Sequence, residues 1–295
     1  MSIISELKEQ FRKGTNLLKL IYINAAVFLV MAVLQIIAVL SNMPAISTSV
    51  LEFLALPAAS TAVLQKPWTV ITYMFLHEGF FHVLFNMLWL YWFGRIFSDY
   101  FDQKKLVSVY IMGGLAGALL YMISFNLFPA FSETINISIA LGASASVMAI
   151  VVATATLVPD HAVYLLLLGR VKIKYIALGI FLLTSVFDFS VNTGGKIAHI
   201  GGAVLGYIYA TRFKQGKDTG AWINKALDGI ATWFKPRQKM KVSYKKPMTD
   251  YEYNRIKADH QEQINKILEK ISKGGYDSLT KKEKEILFKE SQKKS

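Results

Sequence analysis

The chain has 295 residues, of which 53% are apolar and only 18% are Asp, Glu, Lys or Arg, with a mean hydropathy of +0.36. That balance excludes a soluble single-core enzyme, which needs more charge on its surface, and a disordered or collagen-like chain, which carries far less apolar content. Zero cysteines exclude disulfide scaffolds, thiol nucleophiles and thiolate metal sites, and the net charge of +13 is no nucleic-acid signal because it trails an apolar body: residues 1–211 hold only 12 of the 33 basic side chains against 9 of the 20 acidic ones.

A bilayer core takes about 20 mostly apolar residues per helix. Six stretches reach or approach that length, near 18–40, 80–97, 106–128, 139–158, 173–190 and 197–212. The expected fold is therefore an all-α membrane protein, a bundle of six transmembrane helices with a long external first loop and a small cytosolic helical tail. Four segments are expected: an N-terminal arm at 1–17, the six-span core at 18–212, a basic juxtamembrane amphipathic segment at 213–246 and a helical hairpin at 247–295.

The arm carries Lys8, Arg12, Lys13 and Lys19. The first stretch lacks a small-residue cleavage site and reads as a retained span. The first connection, 41–79, has only Lys66 as a cation, with an apolar cluster from Val50 to Leu56 that suits the membrane interface. Arg95, Lys104 and Lys105 fall in the second connection, none in the third, Arg170, Lys172 and Lys174 in the fourth and only Lys196 in the fifth. Lysine and arginine stay on the cytoplasmic side, so both termini are expected there and the odd connections outside. Past 212, Trp222, Ile223, Leu227, Ile230, Trp233 and Phe234 recur at helical spacing between lysines, as in a helix lying near anionic headgroups. Lys273-Gly274-Gly275 breaks a polar helix over 249–272, and Thr280-Lys281-Lys282-Glu283 reads as a capping box opening a last helix.

Polar side chains inside apolar helices are costly, so each one is a functional candidate. His82 and Asn86 stand four apart on one face of the second span, Ser144 opens the fourth within Leu141-Gly142-Ala143-Ser144-Ala145-Ser146, and His199 sits in the sixth ahead of Gly202 and Gly206. All three spans run from outside to inside, and these residues share nearly one depth below the outer surface. A serine in a small-residue run is most often packing glue, and a lone histidine is most often a structural residue. Four of them level on three helices point to a site. Ser146 is the competing nucleophile, about 200° around the helix from Ser144. His77 reads as a polar brace for the external loop. Metal sites find no support: His77 and His82 are five apart and Asp188 has no partner. The reading as a small-solute transporter stays open at this stage.

His82-x-x-x-Asn86, Gly142-x-Ser144 and Ala198-His199-x-x-Gly202-x-x-x-Gly206 together resemble the rhomboid intramembrane serine proteases, in motif order and in the span that carries each motif. The resemblance implies a Ser144–His199 dyad without an acid, no cofactor and no metal. It also implies an oxyanion site made by His82, Asn86 and the Ser144 backbone N–H, with Gly142, Gly202 and Gly206 as packing residues. The implied substrates are transmembrane segments of other membrane proteins, cut near the outer face, in a bacterial inner membrane. The alternative within the family is an inactive relative that binds or escorts transmembrane clients. Three positions depart from the family pattern: Ala145 follows the serine where glycine is usual, Met148 replaces an aromatic that supports the histidine, and Thr69 follows Trp68 where arginine is frequent.

Overall fold

The architecture is that of a computed structural model, which describes residues 9–165, 169–187, 190, 192–234 and 248–293. Lys8, Asp188 and the basic run 235–247 lie outside these, as do the side chains of Ile230, Trp233 and Phe234. The chain divides into two compact units, residues 1–235 and 236–295.

The first unit is a helical membrane bundle. It begins with α1 (Asn16–Leu40), capped by the Thr15 side chain, which accepts from the Leu18 N–H at 3.3 Å. The first loop is structured: α2 (Pro44–Leu54), β1 (Leu56–Pro57), α3 (Ser60–Gln65) and α4 (Thr69–Thr72) follow one another. Trp68 closes it by donating from Nε1 to Phe53 O at 2.7 Å and packing its ring 4.8 Å from that of Phe53. Thr69, at the position where the resemblance favours arginine, is buried and donates to Lys66 O at 2.7 Å, which ties the loop locally. Next come α5 (Phe80–Tyr100), α6 (Gln103–Leu127), β2 (Ile139–Ala140) and α7 (Ser144–Leu157). A hairpin of β3 (Ala162–Leu165) and β4 (Gly169–Lys172) leads to α8 (Ile173–Ser185), α9 (Thr193–Lys214) and α10 (Ala221–Phe234). On α10, Ile223 is buried, and the helix is held to α6 where Ser108 donates to Asn224 Oδ1 at 2.9 Å and Lys104 meets Asp228 at 3.0 Å.

By length and composition, α1 and α6 qualify as membrane-crossing helices, whereas α2, α7 and α8 are shorter apolar helices. α5 and α9, at 21 and 22 residues, are long enough to span but carry the histidines, asparagine and glycines described below.

Two expected boundaries are corrected. Residues 139–143 are not helical: β2 pairs antiparallel with β1, Leu56 facing Ala140, and the helix starts only at Ser144. The cause is local. Gly142 has φ +133°, a conformation a side chain resists, and its N–H donates to Tyr73 O at 2.9 Å instead of entering the helix. The fifth apolar stretch forms helix only to Ser185.

α7 is the hub, with Ala145 to Val151 and Ala153 to Ala155 all buried. At 14 residues and ~1.5 Å rise it is only about 21 Å long, shorter than the apolar core of a bilayer. It packs most extensively against α9 and α6 through glycine. A Cβ on Gly202 or Gly206 would run into the carbonyl oxygens of Ala145 and Ala149, and one on Gly117 would lie 2.5 Å from Ala145 Cβ. A buried hydrogen-bond chain adds to this: Asn24 of α1 donates to Tyr110 Oη at 3.1 Å and Tyr110 donates to Met74 O at 2.9 Å, while Tyr73 donates to Gly114 O at 2.6 Å.

The second unit pairs α11 (Asp250–Gly274) with α12 (Lys281–Lys293), separated by Gly275 at φ +74°. Both helices open with a capping box. Thr249 and Glu252 exchange backbone and side-chain hydrogen bonds, and Thr280 does the same with Glu283, its N–H donating to Glu283 Oε2 at 2.6 Å. The Thr280 N–H, followed by Lys270 Nζ at 3.0 Å, lowers the Glu283 carboxyl from its usual range to about 2. A carboxyl depressed in the folded state stabilises the fold above its unfolded pKa, and that contribution disappears as pH falls through the folded value. Amide exchange across α12 in the full chain should therefore accelerate as pH falls from about 4.5 toward 2, beyond the intrinsic pH dependence. Glu283→Ala, which removes the side-chain acceptor altogether, should raise exchange in the first turn of α12 already at neutral pH; an α12 equally protected at pH 2.5 and pH 6 would contradict the cap.

Candidate active site

Ser144 is the first residue of α7, with Ala143 as N-cap. The leading N–H groups of a helix have no acceptor within it, so those of Ser144 and its successors are free to point at a developing negative charge. Val147 is the first to bond back, to Ala143 O at 2.9 Å.

His82 and Asn86 lie on α5, which faces this helix start. Their closeness to the serine is read from Gly142: a methyl group there would sit 3.1 Å from His82 Cε1, 3.2 Å from His82 Nε2 and 3.5 Å from Ser144 Oγ. Glycine at 142 thus serves both the backbone turn and the space in which imidazole and hydroxyl meet. Asn86 donates from Nδ2 to His82 O at 2.8 Å, which fixes its amide and leaves the second N–H available.

His199 projects from α9, where Gly202 one turn later fits against Ala145 and so brings the histidine helix up to Ser144. Its Nδ1 lies 3.1 Å from the Thr184 carbonyl of α8. A carbonyl can only accept, so Nδ1 carries the proton and Nε2 keeps the lone pair a general base needs. Among the described residues no hydrogen bond joins His199 to Ser144. The two share one cavity of about 280 Å³ with His82 and Asn86, over a wall of Trp89, Met148 and Ile180. Catalytic hydrogen bonds are often long before substrate binds.

All four polar residues singled out in the sequence therefore converge on one cavity. Ser146 does not: its hydroxyl is buried without a hydrogen-bond partner among the described residues, on the face of α7 that meets Gly114 of α6. His77 is buried, and its ring lies edge-on to His82 with centroids 5.2 Å apart. Sequence reasoning missed Thr184, which acts through a backbone carbonyl, and Tyr73, whose carbonyl anchors Gly142 from a separate loop turn. No residue-type signal could have revealed the first.

A family model described as Rhomboid domain matches residues 64–215, the span holding all four polar residues, and one described as a family of unknown function (DUF6576) matches residues 249–293. RHOMBOID-like protein 12, mitochondrial, of Arabidopsis thaliana is 30% identical over 161 residues, which are 50% of this chain and 47% of that protein. Rhomboid-like protein 16, chloroplastic, of the same plant is 27% identical over 160 residues, 50% of each. The chain spans about half the length of the curated relatives it matches.

Proposed function

The chain belongs to the rhomboid family, and from that premise we propose that it is an intramembrane serine endopeptidase working through a Ser144–His199 dyad. The observation that carries this reading is the gathering of Ser144, His199, His82 and Asn86 around one cavity at the start of α7. In the proposed reaction His199 Nε2 takes the proton of the Ser144 hydroxyl as its oxygen attacks a peptide carbonyl. The oxyanion is held by the Ser144 N–H, Asn86 and His82. The imidazolium returns the proton to the leaving amine, and water then releases the acyl-enzyme by the same route.

A peptide bond within an intact helix is shielded by its own hydrogen bonds, so the substrate is a transmembrane segment with a weakened helix near the outer surface. An inactive relative that escorts transmembrane clients would keep the fold and lose the chemistry. A fluorophosphonate separates the two: the purified protein should be labelled once, at Ser144 and not at the buried Ser146, and more slowly as falling pH protonates His199. Absence of labelling, together with no cleavage across varied substrates, would favour the escort.

The six-span count and the orientation belong to the same proposal, with the protein in a bacterial inner membrane and both termini cytoplasmic. Their support is the alternation of Lys and Arg between successive connections. Because the chain has no native cysteine, a cysteine introduced at Ser132 should react with an impermeant thiol reagent on intact cells and one at Ser278 should not. Reaction at Ser278 would reverse the orientation and put the cavity on the other side.

A further inference from the structure

A second cavity, about 390 Å³, lies between α5, the β3–β4 hairpin and α8, and it plays no part in the chemistry above. Its walls are apolar and aromatic, formed by Trp89, Trp92, Phe93, Ile96, Ile173 and Ile176. Its polar edge is Arg95, which donates to Tyr91 Oη at 3.3 Å and has no carboxylate partner among the described residues. The hairpin adds a second cation. Tyr164 lines the cavity and pairs directly across the ladder with Arg170, so both side chains leave the same face of the hairpin. The nearby carboxylate, Asp160, is already held by Lys172 at 2.8 Å and Lys174 at 3.3 Å, which keeps it low in pKa and leaves the surroundings net positive.

We propose that this trough binds one anionic phospholipid, with an acyl chain along Phe93, Ile96 and Ile176 and the phosphate between Arg95 and Arg170. A volume of this size is typical of a ligand site, and a membrane helix bundle offers its apolar trough to lipid chains first. Two guanidinium groups select a phosphate, which they bind in forked geometry. Asp99, one turn after Arg95, adds a single exposed carboxylate and leaves the two guanidinium groups and the Lys172–Lys174 pair in excess, and inorganic phosphate would leave the apolar walls empty. Tyr91, Trp92 and Tyr164 at the rim are the amphipathic rings that sit at headgroup level. Trp89 is a wall common to this trough and the catalytic cavity, and it meets Trp92 edge-on at 5.7 Å.

The full-length protein, purified in mild detergent and offered phosphatidylglycerol and phosphatidylcholine in equal amounts, should retain one phosphatidylglycerol in native mass spectrometry. Arg95→Gln combined with Arg170→Gln should weaken retention by roughly tenfold or more, through loss of two charge-assisted contacts. Arg170→Gln alone, on an exposed strand, should give a smaller loss without risk to the helical core. Lys66→Gln, in the first loop, should change nothing. Ser144→Ala should retain the lipid as wild type does, so the result is independent of the protease reading. Equal retention of the two lipids, a double variant that holds phosphatidylglycerol unchanged, displacement by inorganic phosphate, or a copurified peptide in place of lipid would each overturn the proposal.

Discussion

Ser144→Ala should abolish cleavage of a generic transmembrane substrate by the purified protein, lowering kcat/KM on the order of 10⁴-fold or more, about 5.4 kcal/mol of transition-state stabilisation. His199→Ala should cost about as much, because a nucleophile and its base act as a unit, and the double variant should be no worse than either single one. That non-additivity is the informative result. Two residues contributing separately would give a product of effects, whereas a dyad gives a single loss. Asn86→Ala should be milder, at roughly 2.7–4 kcal/mol, because the His82 ring and the Ser144 N–H remain to hold the oxyanion. Thr184 offers no comparable test through its side chain, since it orients His199 from its backbone carbonyl. Proteolysis that survived Ser144→Ala unchanged would remove the dyad and leave the cavity without a catalytic assignment.

Most of the site was legible in the sequence because it is built from residues that membrane helices avoid. His82, Asn86 and His199 are expensive in an apolar span, so their positions stood out against their neighbours, and the glycines after His199 announced a close helix contact. What was not legible was carried by backbone. The start of α7 at Ser144 depends on Gly142 adopting φ +133° and bonding to Tyr73, a contact across 69 positions that no local pattern encodes. The apolar run from Ile139 onward has the composition of a helix, yet its first residues pair with β1 of the external loop. The consequence is functional: a helix beginning at 139 would satisfy the Ser144 N–H internally, whereas one beginning at 144 leaves it free for an oxyanion. Glycines 113, 114 and 117 on α6 complete the contact that Gly202 and Gly206 make from the other side, and the structure shows them facing Ala145, Ser146 and Ala149. In the tail, the same T-x-x-E spacing at Thr249–Glu252 and Thr280–Glu283 forms a capping box at the start of each helix.

Gly202→Val should destroy the folded core of the first unit, and activity with it. A Cβ at 202 would fall far inside van der Waals contact with the Ala145 carbonyl oxygen, which is backbone and cannot rotate aside. To admit a branched side chain, α9 must move away from α7 along the contact that also includes Gly206 and Ala149. Overpacking a close-fitted core typically costs about 1–3 kcal/mol, and a clash against backbone on a helix pair this close belongs at or above the top of that range. The movement also withdraws His199 from Ser144, so cleavage should fall even in molecules that stay folded. Gly206→Val should act the same way one turn further down. Gly179→Ala makes the contrast, because nothing lies within 4 Å of a Cβ there. That variant should match or slightly exceed wild type, by up to about 1 kcal/mol from helix propensity. The measurement is the thermal unfolding midpoint of the purified full-length protein in detergent, with cleavage followed in parallel. A Gly202→Val protein that unfolds at the wild-type temperature would mean that α7 and α9 do not pack through their glycines. Retained folding with lost cleavage would mean instead that the contact serves mainly to bring the histidine to the serine.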